Sequence, residues 1–190
     1  MPTRPVALTL VLLLSAACST NAPYITPLDT AARAGDLAAI RRLVAAGADV
    51  NAADRGGTRW TPLLHAIHHG RRAAANALIE AGADVNRTSP SGLSPLEMAA
   101  GNGQLAIVRR LIAAGADPRE PGVFVAAVSG GALTGIERPL DGTCNPEIVN
   151  ALLERAPDLR LPQNAHGHLA LLFARLNQCE AVLKVARFAS

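Results

Sequence analysis

The chain has 190 residues and a formal net charge of +3; 49% of its residues are hydrophobic, but only 3% are aromatic. Such a small charge argues against a nucleic-acid-binding protein, which carries a basic stripe or patch on one face. Because the apolar residues are mainly Ala, Leu, Ile and Val rather than aromatic ones, the composition favours short, closely packed helices over a sheet-rich fold. We therefore expect a monomeric helical protein without a nucleic-acid partner.

Residues 1–17 have the pattern of an export signal. Arg4 lies near the start, residues 6–14 are apolar, and small residues lead up to Cys18. A charged start, a short apolar run and a small-residue cleavage site are typical of a secretory signal peptide. The apolar run is shorter than the roughly 20 residues of a transmembrane helix. We therefore expect these residues to be removed and the rest of the chain to be exported.

The end of this segment resembles a bacterial lipoprotein signal. Two alanines precede Cys18, and residues 18–25 form a polar tether. The resemblance implies that Cys18 carries a lipid. It also implies that Ser19 directs the protein to the outer membrane, where the lipid anchors it in the periplasm. Ser15 departs from the family, which has Leu three residues before the cysteine. Ordinary cleavage at the same small residues leaves a soluble periplasmic or secreted chain as the alternative.

From Thr26 onward, the same pattern occurs three times. Thr-Pro or Ser-Pro opens each unit at Thr26, Thr61 and Ser94, and Gly-Ala-Asp closes it. A second glycine lies 12 residues before that closing glycine, in the pairs Gly35–Gly47, Gly70–Gly82 and Gly103–Gly115. A period of this kind indicates an array of stacked units.

These residues resemble the ankyrin repeat, a unit of about 33 residues with a Thr-Pro-Leu-His turn and two antiparallel helices. The resemblance implies an all-α solenoid of helix pairs with short hairpin fingers over residues 26–188. The Thr or Ser is expected to cap the first helix, with Pro in its first turn. The glycines are expected to end both helices with a positive φ. Asp29, Leu64 and Glu97 replace the family's turn histidine.

The later part of the array is less regular. The last unit has Asn177 in place of the first-helix glycine. We expect an interrupted fourth repeat and a capping helix pair after the three clear repeats. The predicted units cover residues 26–58, 59–91, 92–120, 121–158 with an insertion at 131–145, and 159–188.

One connection between repeats is longer than the next. The step from Thr26 to Thr61 is 35 residues, whereas that from Thr61 to Ser94 is 33. The additional length lies in residues 52–60, which we call the finger. We expect the finger to project further than its neighbour.

Two cysteines remain besides Cys18. Cys144 ends the insertion, and Cys179 lies at the start of the last helix. Both lie near the start of a second helix in adjacent repeats, and an oxidising compartment favours pairing. We predict a Cys144–Cys179 disulfide, with two free buried thiols as the alternative.

The sequence offers little for catalysis or for a cofactor. His65 and His68 share a helix face at i, i+3, but no third ligand follows at helical spacing. A metal- or ligand-sensing periplasmic protein that uses these histidines is the alternative function. Nucleophile, Walker-loop and calcium-loop motifs are missing, so we expect no enzyme activity and no cofactor.

The resemblance to ankyrin repeats implies a non-catalytic module that binds a protein partner through its fingers and its concave helix face. Trp60 is the only Trp of the chain and lies on the finger, although it could instead pack against its own stack. Two roles, an immunity-type inhibitor of a toxin and a helper of envelope stress defence, are both compatible with this class. The predicted partner-binding residues are Arg33, Arg55, Arg59, Trp60, His65, His68, Leu93 and Met98.

Overall fold

A computed structural model of the chain describes residues 25–129, 145–176 and 178–185. This part of the chain contains ten helices and no β-strand. The helices are α1 (Pro27–Ala34), α2 (Leu37–Ala45), α3 (Pro62–His68), α4 (Arg72–Glu80), α5 (Pro95–Gly101), α6 (Leu105–Ala113), α7 (Pro121–Ser129), α8 (Pro146–Arg155), α9 (Ala165–Leu176) and α10 (Glu180–Val185). None of these helices has the length and apolar character needed to cross a membrane.

The helices form two rows. Odd-numbered helices contact each other along one row, from α1 through α9, and even-numbered helices contact each other along the second row. Within each repeat the two helices pack as an antiparallel pair, so every pair buries its apolar face against the next. Ala31, Ala66 and Ala99 are buried between successive first helices, where their small side chains allow close packing. The predicted all-α ankyrin-type solenoid is confirmed.

The first helix of each clear repeat begins as the sequence predicts. A Thr or Ser hydroxyl accepts a hydrogen bond from the backbone N–H three residues later, which satisfies one unpaired donor of the first turn. The distances are 3.0 Å for Thr26–Asp29, 3.3 Å for Thr61–Leu64 and 3.1 Å for Ser94–Glu97.

Asp29 shows how a substituted turn residue still stabilises the helix start. Its Oδ2 accepts hydrogen bonds from the Thr26 backbone N–H (2.9 Å) and from the Thr26 hydroxyl (2.8 Å). The two residues therefore form a reciprocal capping box. In this repeat, the Asp29 carboxylate therefore accepts the side-chain hydrogen bonds at the start of α1.

The six repeated glycines all have a positive φ, between 66° and 98°, as predicted. An L-residue with a Cβ rarely adopts this conformation, which allows the chain to turn sharply after each helix. In the last unit the left-handed residue is Gln178, with a φ of 56°. The predicted position, Asn177, lies outside the described residues.

The fourth repeat retains both helices on either side of its insertion. Helices α7 and α8 contact each other, and α7 packs between α5 and α9 in the row of first helices. Of the predicted insertion, residues 131–145, all but residue 145 lies outside the described residues. The helix pair of the interrupted repeat therefore continues the stack.

Candidate functional site

A buried carboxylate holds the finger in shape. Asp54 Oδ1 accepts a hydrogen bond from the Gly56 backbone N–H (2.7 Å). Its Oδ2 accepts from the Thr58 hydroxyl and from the Trp60 backbone N–H, both at 3.1 Å. The Asp54 backbone N–H in turn donates to the Trp60 carbonyl (2.8 Å). These bonds close residues 54–60 into a fixed loop around a side chain that is 3% exposed.

The same carboxylate joins the finger to α3. His65 Nε2 lies 2.8 Å from Asp54 Oδ2, and His65 is 5% exposed. His65 Nδ1 is buried with no hydrogen-bond partner among the described residues. The tautomer with its proton on Nε2 fits this geometry, because it donates to the carboxylate and buries no unpaired N–H at Nδ1.

Asp54 is ionised in this setting. Burial alone would raise the pKa of its carboxyl group, because it disfavours the charged form. The hydrogen bonds from His65, Thr58, Gly56 and Trp60 stabilise the carboxylate and together lower the pKa below its ordinary value. The finger is therefore organised around a negative charge that internal donors neutralise.

Trp60 lies across the histidines of α3. Its ring centroid is 5.4 Å from that of His65 and 4.8 Å from that of His68, in edge-on and tilted arrangements. Trp60 is also partly buried and packs against the apolar core. The ring thus covers His65 while keeping part of its surface accessible.

Cationic groups surround His69, the residue that follows α3. Arg33 Nε donates to His69 Nε2 (3.3 Å), and Arg71 Nε donates to the Arg33 carbonyl (3.0 Å). The His68 and His69 ring centroids are 5.0 Å apart. Burial lowers the pKa of His69, and the neighbouring basic groups His68, Arg33, His65 and Arg71 lower it further. The guanidinium groups of Arg33 and Arg71 place positive charge on this side of α3.

These groups line one cavity of about 600 Å³ between α1, the finger and α3. We call it the Trp60 cavity. Its floor and walls combine an aromatic ring, imidazoles, a guanidinium and the internally paired carboxylate of Asp54. The charged, imidazole and aromatic side chains that line it are Arg33, Asp54, Trp60, His65, His68 and His69.

Four of the eight predicted partner-binding residues meet at this cavity. Arg33, Trp60, His65 and His68 line it, and they come from three separate segments of the chain. The burial of His65 corrects the expectation that this residue contacts the partner directly. Its ring is enclosed by Asp54 and Trp60, so it positions the residues of the surface and contributes little surface itself.

The other four predicted residues lie elsewhere. Arg55 and Arg59 are exposed on the finger. Leu93 is partly buried and packs against the core. Met98 is 0% exposed, so the expectation that it contacts a partner is wrong for this conformation. Its position in α5 corresponds to that of His65 in α3, and the repeat stack covers both.

Sequence reasoning missed Asp54 and His69. The Asp54-Arg55-Gly56 tripeptide does carry a local signal, because an Asp side chain often accepts a hydrogen bond from the backbone two residues later. Its bond to His65, 11 residues away, has no such signal. His69 lies at the helix end, beyond the i, i+3 pair of His65 and His68, so helical spacing does not predict that it lines the same site.

A metal centre finds no support in this geometry. Among the residues that the structure describes, no group of three or more His, Cys, Asp and Glu side chains is arranged to hold a metal ion. The Nε2 atom of His65, one of its two nitrogens able to bind a metal, faces Asp54 instead.

The predicted lipid and disulfide sites are mostly outside the described residues. Cys18 and Cys144 both fall there. Cys179 is 5% exposed, and its backbone N–H donates to the Ala174 carbonyl (2.8 Å) just before α10 begins. The Cys144–Cys179 disulfide stays a prediction.

Stacked helix pairs with left-handed glycines and projecting fingers define a helical repeat protein. A family model for ankyrin repeats in three copies matches residues 8–89 and 28–121, which together span more than half of the chain. The chain belongs to the ankyrin-repeat family, whose repeats indicate a protein–protein interaction module. Proteins of this family are generally non-catalytic. No curated protein matches the chain.

Proposed function

We propose that this protein is a non-catalytic binding module that holds a protein partner against the finger and the Trp60 cavity. The cavity is the observation that supports the proposal most strongly. It combines a partly accessible Trp with an Arg, and these two residue types are enriched among the residues that dominate binding at protein interfaces. It also lies between the finger and two first helices, the region to which the ankyrin resemblance assigns partner binding.

The rigidity of the finger supports the same conclusion. Asp54 accepts four hydrogen bonds from within the finger and from α3, and these internal bonds hold the loop in shape without a partner. A preformed surface loses less conformational entropy on binding, which leaves more of the contact energy for affinity. The exposed Arg55 and Arg59 side chains on the finger are placed to contact the rim of the partner.

We also propose that the protein is exported and anchored to the outer membrane through a lipid on Cys18, with residues 18–25 as a tether. The charged start, the short apolar run and the small residues before Cys18 support this. Mass spectrometry of the membrane fraction is expected to show an acylated N-terminal cysteine. An unmodified, soluble mature chain would contradict lipid anchoring and leave the soluble periplasmic or secreted alternative.

The binding proposal is tested by affinity capture from detergent-solubilised envelope. The unaltered protein is compared with an Arg55→Glu/Arg59→Glu variant of the finger. The control is Arg41→Glu/Arg42→Glu, which makes the same charge change on exposed residues of α2, in the row of second helices. We expect one protein to be captured by the unaltered chain and by the control but lost with the finger variant. Equal capture by all three would contradict binding at this surface.

The captured protein also separates the two biological roles. A toxin would identify the chain as an immunity-type inhibitor. A component of envelope stress defence would identify it as a helper of that process.

A further inference from the structure

We propose that the Trp60 cavity recognises an acidic segment of the partner protein, a carboxylate side chain flanked by an apolar residue. This inference rests on the proposed binding function and specifies the chemistry of what enters the cavity. The carboxylate would bind the Arg33 guanidinium, and the apolar neighbour would pack against the Trp60 ring.

The first support is a set of basic side chains from separate elements at and beside the cavity. Arg33 comes from α1, His68 ends α3, and His69 and Arg71 lie in the turn that follows. Arg33 contacts His69 in the cavity lining, and Arg71, just outside that lining, donates to the Arg33 carbonyl. Arg55 and Arg59 add further positive charge on the nearby finger.

The second support is that Arg33 has no acidic partner within the described chain. The ion pairs there join His65 to Asp54, Arg110 to Glu80 and Arg119 to Asp158. Where the structure assigns Arg33 a side-chain hydrogen bond, the donor is Nε and the acceptor is a neutral imidazole nitrogen. A guanidinium has five N–H donors in a planar fork that fits a carboxylate in two parallel hydrogen bonds. The cavity thus offers a cation without offering its counter-charge.

Asp54 does not supply that counter-charge, although it lines the same cavity. Its two oxygens already accept from Gly56, Thr58, Trp60 and His65, and its side chain is almost fully buried. The lowered pKa of His69 agrees with this, because after burial its causes are the neighbouring basic groups His68, Arg33, His65 and Arg71. An incoming carboxylate would reduce this repulsion.

Trp60 supplies the apolar half of the recognition. Its ring forms one wall of the cavity and is held in place by the histidines beneath it. Aromatic rings offer a large contact area at low entropy cost because they have only two side-chain torsions. An acidic residue with an apolar neighbour matches this pairing of a guanidinium with a ring.

A random peptide library displayed on phage tests the proposal. Selection on the immobilised protein is expected to enrich peptides that contain Asp or Glu beside an apolar residue. A selected peptide is then synthesised with blocked termini, and its Kd is measured against the unaltered protein, Arg33→Gln, Arg33→Lys and the exposed-surface control Arg41→Gln. The folding of each variant is checked by its thermal unfolding curve.

We expect Arg33→Gln to weaken binding about tenfold or more, the cost of one charge-assisted interaction. Arg33→Lys is expected to retain part of the affinity, and Arg41→Gln to change it less than about twofold. Replacing the acidic residue of the peptide with its amide is expected to weaken binding as much as Arg33→Gln does. In NMR spectra, the peptide is expected to shift the ring signals of His68, His69 and Trp60.

Several results would overturn the inference. These are selection of peptides without acidic residues, failure to select any peptide, equal affinity for Arg33→Gln, and displacement of the peptide by inorganic phosphate at equal concentration. A selected neutral peptide whose binding is abolished by the finger variant would leave the proposed function intact and remove only the acidic specificity. Equal capture by the unaltered chain and the finger variant in the envelope experiment, or no capture by the unaltered chain, would instead remove the proposed function itself.

Discussion

His65 Nε2 and Asp54 Oδ2 lie 2.8 Å apart, and this buried contact fastens the finger to α3. Both side chains are almost completely enclosed, so neither forms much of the surface that a partner would meet. Their contribution is to set the position of Trp60, whose backbone donates to the same carboxylate oxygen. The shape of the candidate binding surface therefore depends on a polar contact beneath it.

The first prediction concerns the Asp54 carboxylate. Asp54→Ala leaves four donors without their acceptor, so we expect unfolding to become easier by about 2–3 kcal/mol and the finger to loosen. Urea unfolding measures the stability, and hydrogen exchange of the Gly56 and Trp60 amides measures the finger. Glu154→Gln, an exposed carboxylate of α8, is the matched control and is expected to change stability by less than about 0.5 kcal/mol. An unchanged exchange rate in Asp54→Ala would contradict the role of Asp54.

The Asp54 contact also predicts a response to acid. Because the pKa of Asp54 is lower in the folded protein than its ordinary value of 3.8, the unfolded chain binds more protons at this site. The stabilisation is therefore present above pH 3.8 and is lost as the pH falls through the folded pKa. The stability difference between the unaltered protein and Asp54→Ala is expected to shrink below pH 3.8; a difference that grows there would contradict this.

The second prediction concerns Trp60. Trp60→Ala is expected to weaken partner binding by roughly 2 kcal/mol, as loss of a Trp from the centre of an interface does. Because Trp60 packs on His65, His68 and the core, we expect stability to fall as well, by about 1–2 kcal/mol.

Trp60→Phe separates the two effects, since it keeps a ring over the histidines. We expect this variant to regain most of the stability and part of the affinity for the captured partner. Isothermal calorimetry and thermal unfolding measure the two quantities. A Trp60→Ala variant that lost stability but bound normally would assign Trp60 a purely structural role.

The third prediction concerns Glu97, a partly buried carboxylate of α5. Burial and then the negative charge of Glu120 raise its pKa above the ordinary 4.5, while a hydrogen bond from the Ser94 backbone opposes this in part. The folded protein thus holds this proton more tightly than the unfolded chain, so stability falls as the pH rises from 4.5 through the folded pKa.

Glu97→Gln removes the charge, and we expect it to raise the melting temperature at pH 7 by up to a few degrees. At pH 4 the difference is expected to be small, because the carboxyl group is then mostly neutral in both states. Glu120→Gln is the control that removes the repulsion but not the burial, and it is expected to give a smaller gain. A stabilising effect of Glu97→Gln that was equal at both pH values would contradict an electrostatic cause.

The fourth prediction is the Cys144–Cys179 disulfide. Peptide mapping with and without reductant is expected to show the two cysteine peptides joined in the oxidised protein only. The reduced protein is expected to be less stable by about 4 kcal/mol, the entropic benefit of closing a loop of this length. Free thiols at both positions under oxidising conditions would reject the bridge.

The repeat architecture could be predicted from the sequence because its determinants are local and recur. Thr61 with its following Pro, and Gly70 with its positive φ, each act within a few residues and occur again one repeat later. The finger lacks this advantage. Its two additional residues have no counterpart in the next repeat, and the side chain that fixes it is bonded to a residue 11 positions away.

The position of a residue within its repeat also does not predict whether its side chain is exposed. Thr30, His65 and Met98 occupy corresponding positions in three first helices, but Thr30 is exposed whereas the other two are buried. Thr30 lies in the first repeat, where the described chain has no preceding finger over it. The stack covers the same position in the repeats that follow, so its accessibility depends on neighbours that the local pattern does not specify.

Site-specific photo-crosslinking in intact envelope tests the central claim most directly, which is that a protein partner is held at the finger and the Trp60 cavity. A photoreactive phenylalanine replaces Arg55 on the finger in one variant and Arg41 on α2 in the other, both exposed positions. We predict a discrete cross-linked protein from position 55 and none from position 41. A cross-link from position 41 with none from position 55 would contradict the account.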